Sequence, residues 1–133
     1  MSDCTDGLSH IGIAVSDLQR TKAYYMEKLG FCVLHENSID TPNGPIKVAF
    51  LGSGNLVIEF LQFPDGVGPP PGTIDHLAIK APGIEGAAAQ LKERGVAFDT
   101  EDVQSLMYFW QRGTKWMTFR GPDGEKLEIN EVL

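Results

Sequence analysis

The chain has 133 residues, 42% of them hydrophobic, which suits a packed interior and is too apolar for a disordered segment. Its net charge of −7 and its lack of a long basic run argue against a nucleic-acid partner. No stretch approaches the ~18 apolar residues of a membrane span, and the polar opening from Met1 to Gly7 has no secretory apolar region, so a cytoplasmic chain with no membrane partner is expected.

Residues 8–15, Leu-Ser-His-Ile-Gly-Ile-Ala-Val, alternate with period two and read as a strand. His10, Gly12 and Ala14 then share one face, and Ile11, Ile13 and Val15 the other. Ser16 followed by Gln19 has the form of a capping box. Leu18, Thr21, Tyr25, Met26 and Leu29 give one helical stripe for burial, and Gly30 is the stop. Strands are expected over 31–36, 46–51 and 56–61, the last two joined by the turn Gly52-Ser53-Gly54-Asn55. Residues 64–73, rich in proline and glycine, read as a stiff linker.

The pattern then repeats. Residues 74–81, Ile-Asp-His-Leu-Ala-Ile-Lys-Ala, mirror the opening strand. Ile84, Ala87, Ala88 and Leu91 form a shorter helical stripe that stops at Gly95. Strands are expected over 96–100, 115–120 and 126–132, with the turn Gly121-Pro122-Asp123-Gly124 before the last. Residues 101–114 are the least legible; the apolar run from Met107 to Trp110 reads as a strand extension or a covering loop. Each half is therefore βαβββ and the class α+β: one domain over 1–133, with modules 7–63 and 74–133 joined by 64–73. Cys4 and Cys32 make no disulfide framework; Cys4 is expected to be exposed and Cys32 buried in a strand.

The polar residues on these strands carry the chemistry. His10 and His76 are each the third residue of their opening segments, and Glu59 and Glu128 each fall four residues past the end of a hairpin turn. Small residues beside each histidine leave room for a site. Glu59 between Ile58 and Phe60, and Glu128 between Leu127 and Ile129, are carboxylates in apolar strands, which are costly to bury without a cation or full hydrogen bonding. Two imidazoles and two carboxylates suit one divalent ion, Ni, Co or Zn first and Fe or Mn next, with open positions that favour catalysis. His35 has no counterpart in the second half and reads as an ordinary residue.

At Leu8-Ser-His-Ile-Gly-Ile-Ala-Val-Ser-Asp-Leu, Val57-Ile-Glu-Phe, Asp75-His-Leu-Ala-Ile and Gly121-Pro-Asp-Gly-Glu-Lys-Leu-Glu-Ile, the chain resembles the vicinal oxygen chelate superfamily over nearly its whole length. That resemblance implies paired βαβββ modules forming a curved mixed sheet around a metal site, often in a homodimer. The His-Glu-His-Glu set is most similar to glyoxalase I. It implies a divalent-metal-dependent lyase or isomerase that moves a proton through a metal-bound enediolate of a small 2-oxo or hemithioacetal substrate. Glu128 would be the first choice of base and Glu59 its symmetric partner. Methylmalonyl-CoA-like epimerases resemble this pattern but usually carry glutamine where Glu59 stands. An epimerase of 2-acyl-CoA is the alternative, and a metal-free binding protein of the bleomycin-resistance type a further one, with Tyr108, Phe109, Trp110 and Trp116 clasping a flat ligand. Glutathione-using glyoxalases carry arginine and asparagine where this chain has Ala14 and Phe63. Arg112, Lys115 and Arg120 are the basic residues that could replace them.

Overall fold

A computed structural model describes residues 4–133. In chain order the elements are β1 (Leu8–Ala14), α1 (Leu18–Leu29), β2 (Cys32–Thr41), β3 (Gly44–Ser53), β4 (Leu56–Gln62), β5 (Ile74–Lys80), α2 (Ile84–Glu93), β6 (Gln104–Leu106), β7 (Thr114–Arg120) and β8 (Lys126–Val132). They fall into two compact units, one of residues 10–75 and one of residues 4–9 with His76–Leu133. Each is a mixed sheet with one helix, so the α+β class holds. Neither described helix is long and apolar enough to cross a membrane.

In the unit of residues 10–75 the strand order is β2-β3-β4-β1. β1 pairs parallel to β4, and β2, β3 and β4 form an antiparallel meander. Alternation sorts the side chains onto two faces. Ala49, Leu51, Ile58 and Phe60 pack with Leu18 of α1, joined by Ile13, Val15 and Tyr25. Met26 and Leu29, expected in that stripe, are instead exposed. At about 100° per residue Met26 is turned well off the line of Leu18, Thr21 and Tyr25, and Leu29 stands at the helix end. The cap also differs. Asp17 is the N-cap and its carboxylate accepts the Arg20 N–H, while the Ser16 hydroxyl accepts from the Arg20 guanidinium. Gly30 ends α1 in the left-handed region, as its position requires.

β2 runs five residues beyond the expected Glu36, to Thr41. Its polar stretch Asn37, Ser38 and Asp40 hides the strand period, yet the ladder to β3 holds it through to Thr41 opposite Gly44. Pro42 and Asn43 make the turn.

The other unit has the order β5-β8-β7-β6, again with one parallel pair, β5 with β8. Ile84, Ala87 and Ala88 of α2 pack on Met117 and Ile129, as their spacing implied. α2 has no capping side chain of its own, because Gly83 occupies the N-cap. Both oxygens of Glu131 on β8 serve instead, accepting the N–H groups of Gly83 and Ile84 at 3.2 Å each. Residues 96–100 do not form the expected strand. Phe98 makes a single bridge to Phe119, and Thr100 then turns the chain by donating to the Asp102 carbonyl. The short strand lies later, at Gln104–Leu106, within the stretch that was hardest to read.

The cysteine expectations are reversed. Cys4 is buried in the core of α2, Met117 and Ile129, and Cys32 is exposed at the start of β2. The reason is the run before β1, which pairs with the end of β5: Asp6 N–H donates to Lys80 O, and Lys80 N–H to Gly7 O.

Candidate metal and acid-base site

Each unit builds one histidine–glutamate pair. In residues 10–75, β1 places His10, Gly12 and Ala14 on its buried face. The parallel register sets Gly12 opposite Glu59 of β4, so His10 and Glu59 stand diagonally across adjacent strands. His10 Nε2 lies 3.3 Å from Glu59 Oε1, and the two residues are 5% and 6% exposed. The Phe50 and His10 rings meet at right angles, 5.2 Å between centroids, which packs the imidazole from one side.

The second unit repeats the construction. His76 and Ala78 are buried on one face of β5, and Ala78 is opposite Glu128 of β8. His76 Nε2 lies 3.9 Å from Glu128 Oε1, and both residues are buried. The structure thus pairs His10 with Glu59 and His76 with Glu128, in one geometry used twice. Opposite His76 on β5, the bulky face is less covered than its residues suggested, since Leu77 is exposed.

The donor chemistry fits a divalent cation. A buried carboxylate needs compensating charge, and an imidazole whose Nε2 faces it offers a ring nitrogen of the kind borderline metals take. Each pair supplies one neutral and one anionic donor of the kinds a dipositive ion takes.

Other residues singled out in the sequence are placed as follows. Ala14 is buried, and Phe63 lies with its ring over the backbone at Gly68, so neither position offers a polar contact. Lys115 donates to Glu85 at 2.8 Å, and this hydrogen bond holds the Glu85 carboxyl below its ordinary range. Arg120 lies 3.5 Å from Asp99, and Arg112 is exposed. Of the aromatics, Phe109 is buried, Trp110 and Trp116 are half-buried and Tyr108 is exposed.

Sequence reading missed a partly buried polar chain near Glu128. Ser9 Oγ donates to Asn130 Oδ1 at 3.0 Å, Asn130 Nδ2 to Thr114 Oγ1 at 3.1 Å, and Thr114 Oγ1 to the Glu131 carbonyl at 3.2 Å. Asn130 follows Glu128 by two positions and so shares its face; a polar residue at that period in an apolar strand was the available signal.

Residues 7–129 match the model of the Glyoxalase/Bleomycin resistance protein/Dioxygenase superfamily. The chain belongs to that superfamily. Among curated relatives it is 31% identical over 128 residues to the uncharacterized protein YwkD of Bacillus subtilis, covering 93% of this chain and 95% of that one. It is 29% identical over 106 residues to human mitochondrial methylmalonyl-CoA epimerase, covering 73% of this chain and 58% of the relative. In fold it is similar to the crystal structure of methylmalonyl-CoA epimerase from Mycobacterium tuberculosis. That match has a TM-score of 0.83 at 22% identity and covers 100% of this chain and 92% of the other.

Proposed function

We propose that this superfamily member is a divalent-metal-dependent isomerase that moves a proton on the carbon next to a carbonyl, with a 2-substituted acyl thioester such as an acyl-CoA as its first substrate class. The observation that carries this reading is the duplicated histidine–glutamate pair, buried in both units. The similarity to the human epimerase supports the acyl-CoA class ahead of the glyoxalase I type.

In this reading His10, Glu59, His76 and Glu128 together hold one ion. A bound divalent ion supplies a Lewis acid for the substrate carbonyl. The Glu128 carboxylate takes the proton from the carbon, and Glu59, protonated for that step, delivers its own to the opposite face, which inverts the centre. A base working this way must stand within hydrogen-bond reach of the carbon's proton.

Glutamate at position 59 favours a second reading, isomerisation of a hemithioacetal as in glyoxalase I, because the epimerases usually have glutamine there. The two separate cleanly. Metal-loaded protein in D2O is expected to exchange the 2-proton of a 2-methylacyl-CoA and racemise it. Turnover of methylglyoxal–thiol adducts without that exchange would install the second reading, and protein that takes up no metal and turns over neither would defeat both.

A further inference from the structure

We propose that His35 of β2, together with Asn37, binds the amide-bearing arm of the thioester substrate; this rests on the acyl-thioester reading above. His35 reads as an ordinary residue from its position in the chain, but the register gives it a place. His35 is directly opposite Phe50 on β3, and Phe50 is directly opposite Glu59 on β4. Residues opposite one another in an antiparallel ladder share a face, so His35, Phe50 and Glu59 form one row. Ring contacts agree: Phe50 meets His10 on one side and His35 on the other, with centroids 5.2 and 6.3 Å away.

Two strand spacings of about 4.8 Å put the His35 backbone roughly 10 Å from that of Glu59. The span between them is apolar: Phe50 lies in the row, and Val48 and Leu61 lie opposite each other in the next. Asn37 is opposite Val48, on the same face as His35. Along this face of residues 10–75 a buried carboxylate is followed by the buried side chains of Phe50, Val48 and Leu61, and then by a half-buried imidazole and amide at its edge. A pantetheine arm has the matching sequence of groups, a thioester carbonyl, a short methylene spacer and then an amide.

The charge state suits an amide better than a carboxylate. Burial lowers the His35 pKa, against a smaller upward pull from Glu36. The ring is then neutral near pH 7 and can both donate and accept. In the other unit, Thr118 stands opposite Glu128 where Phe50 stands opposite Glu59, and beyond it Asp99 accepts the Thr118 hydroxyl and faces Arg120. An ion pair there offers no equivalent neutral subsite.

The test uses the metal-loaded full chain. NMR signals of the His35 ring, assigned with His35→Gln, are followed during titration with an S-carboxyethyl thioether of coenzyme A and with the same thioether built on ethanethiol. The His35 signal is expected to move with the first ligand only. In kinetics, His35→Leu is expected to raise KM for the acyl-CoA about three- to tenfold with kcat nearly unchanged, His35→Gln to restore most of it, and an ethanethiol thioester to show no difference, since a neutral hydrogen bond contributes about that much. A His35 signal unmoved while the coenzyme A thioether binds, or an equal KM rise on both thioesters, overturns the assignment of His35 alone. Native protein that neither binds the thioether nor exchanges the 2-proton overturns the acyl-thioester reading and this subsite with it.

Discussion

The two units place the same histidine–glutamate pair on different ground. Glu59 faces Phe50, and the next row is Val48 with Leu61. Glu128 faces Thr118, and the next row is Trp116 with Asn130, the latter held between the Ser9 and Thr114 hydroxyls. Duplication has kept the pair and let the surroundings diverge. The rows beside the two glutamates therefore differ in kind, apolar next to Glu59 and partly polar next to Glu128. In the proposed function Glu128 is the proton-abstracting base, so the two rows flank groups with different tasks.

The largest expected effect tests the division of labour. Glu128→Gln is expected to cut proton exchange by about a hundredfold or more, in line with general-base catalysis, while keeping much of the metal. Full activity in that variant would break the contrast. Glu59→Gln is expected to stop exchange from one enantiomer and spare the other, measured by chiral chromatography in D2O; equal exchange from both would reduce Glu59 to a ligand. Next in size, Asn130→Leu imports the residue type that Leu61 supplies in the other unit and removes the amide that joins the Ser9 and Thr114 hydroxyls. A cost of about 1–3 kcal/mol in chemical denaturation is expected. An unchanged midpoint would mean the polar chain contributes no stability.

The helix caps give a smaller effect. Asp17→Ala removes a local cap and is expected to cost about 1 kcal/mol. Glu131→Ala removes a cap reaching α2 from β8 and is expected to cost at least as much, since it also unties helix from sheet. Smallest is the pH effect of His35. Its folded pKa lies below the unfolded value, so the unfolded state binds the proton more readily, and stability falls as pH drops below about 6.5. Thermal melts of native protein and His35→Gln are expected to run in parallel above pH 7, with the native protein losing ground toward pH 5.

Where hydrophobic period and chain direction agreed, the sequence was legible. The alternation around His10 and His76, the stripe Ile84–Ala87–Ala88 and the turn before Lys126 all appear as read, and the turn before Leu56 is tighter than expected, Gly54-Asn55 alone, because Gly52 and Ser53 pair with β4. What escaped was set by distant partners. β2 continues through Asn37–Asp40 because β3 supplies its hydrogen bonds, not because its residues favour strand. Cys4 is buried because residues 4–9 pair with β5, far along the chain. The cap of α2 is a carboxylate on β8, invisible to any local motif. At the site, spacing singled out one histidine and one glutamate in each half, and these stand as neighbours within their units; the row that gives His35 a face escaped it, since that row depends on register.

The most direct measurement is metal content per chain in purified protein after equilibrium dialysis against Ni, Co or Zn, set beside His10→Ala and His76→Ala. One ion per native chain is expected, lost from either variant although each alters a different unit. Two ions per chain, or an ion kept when one of these histidines is removed, would contradict a single centre assembled from both pairs.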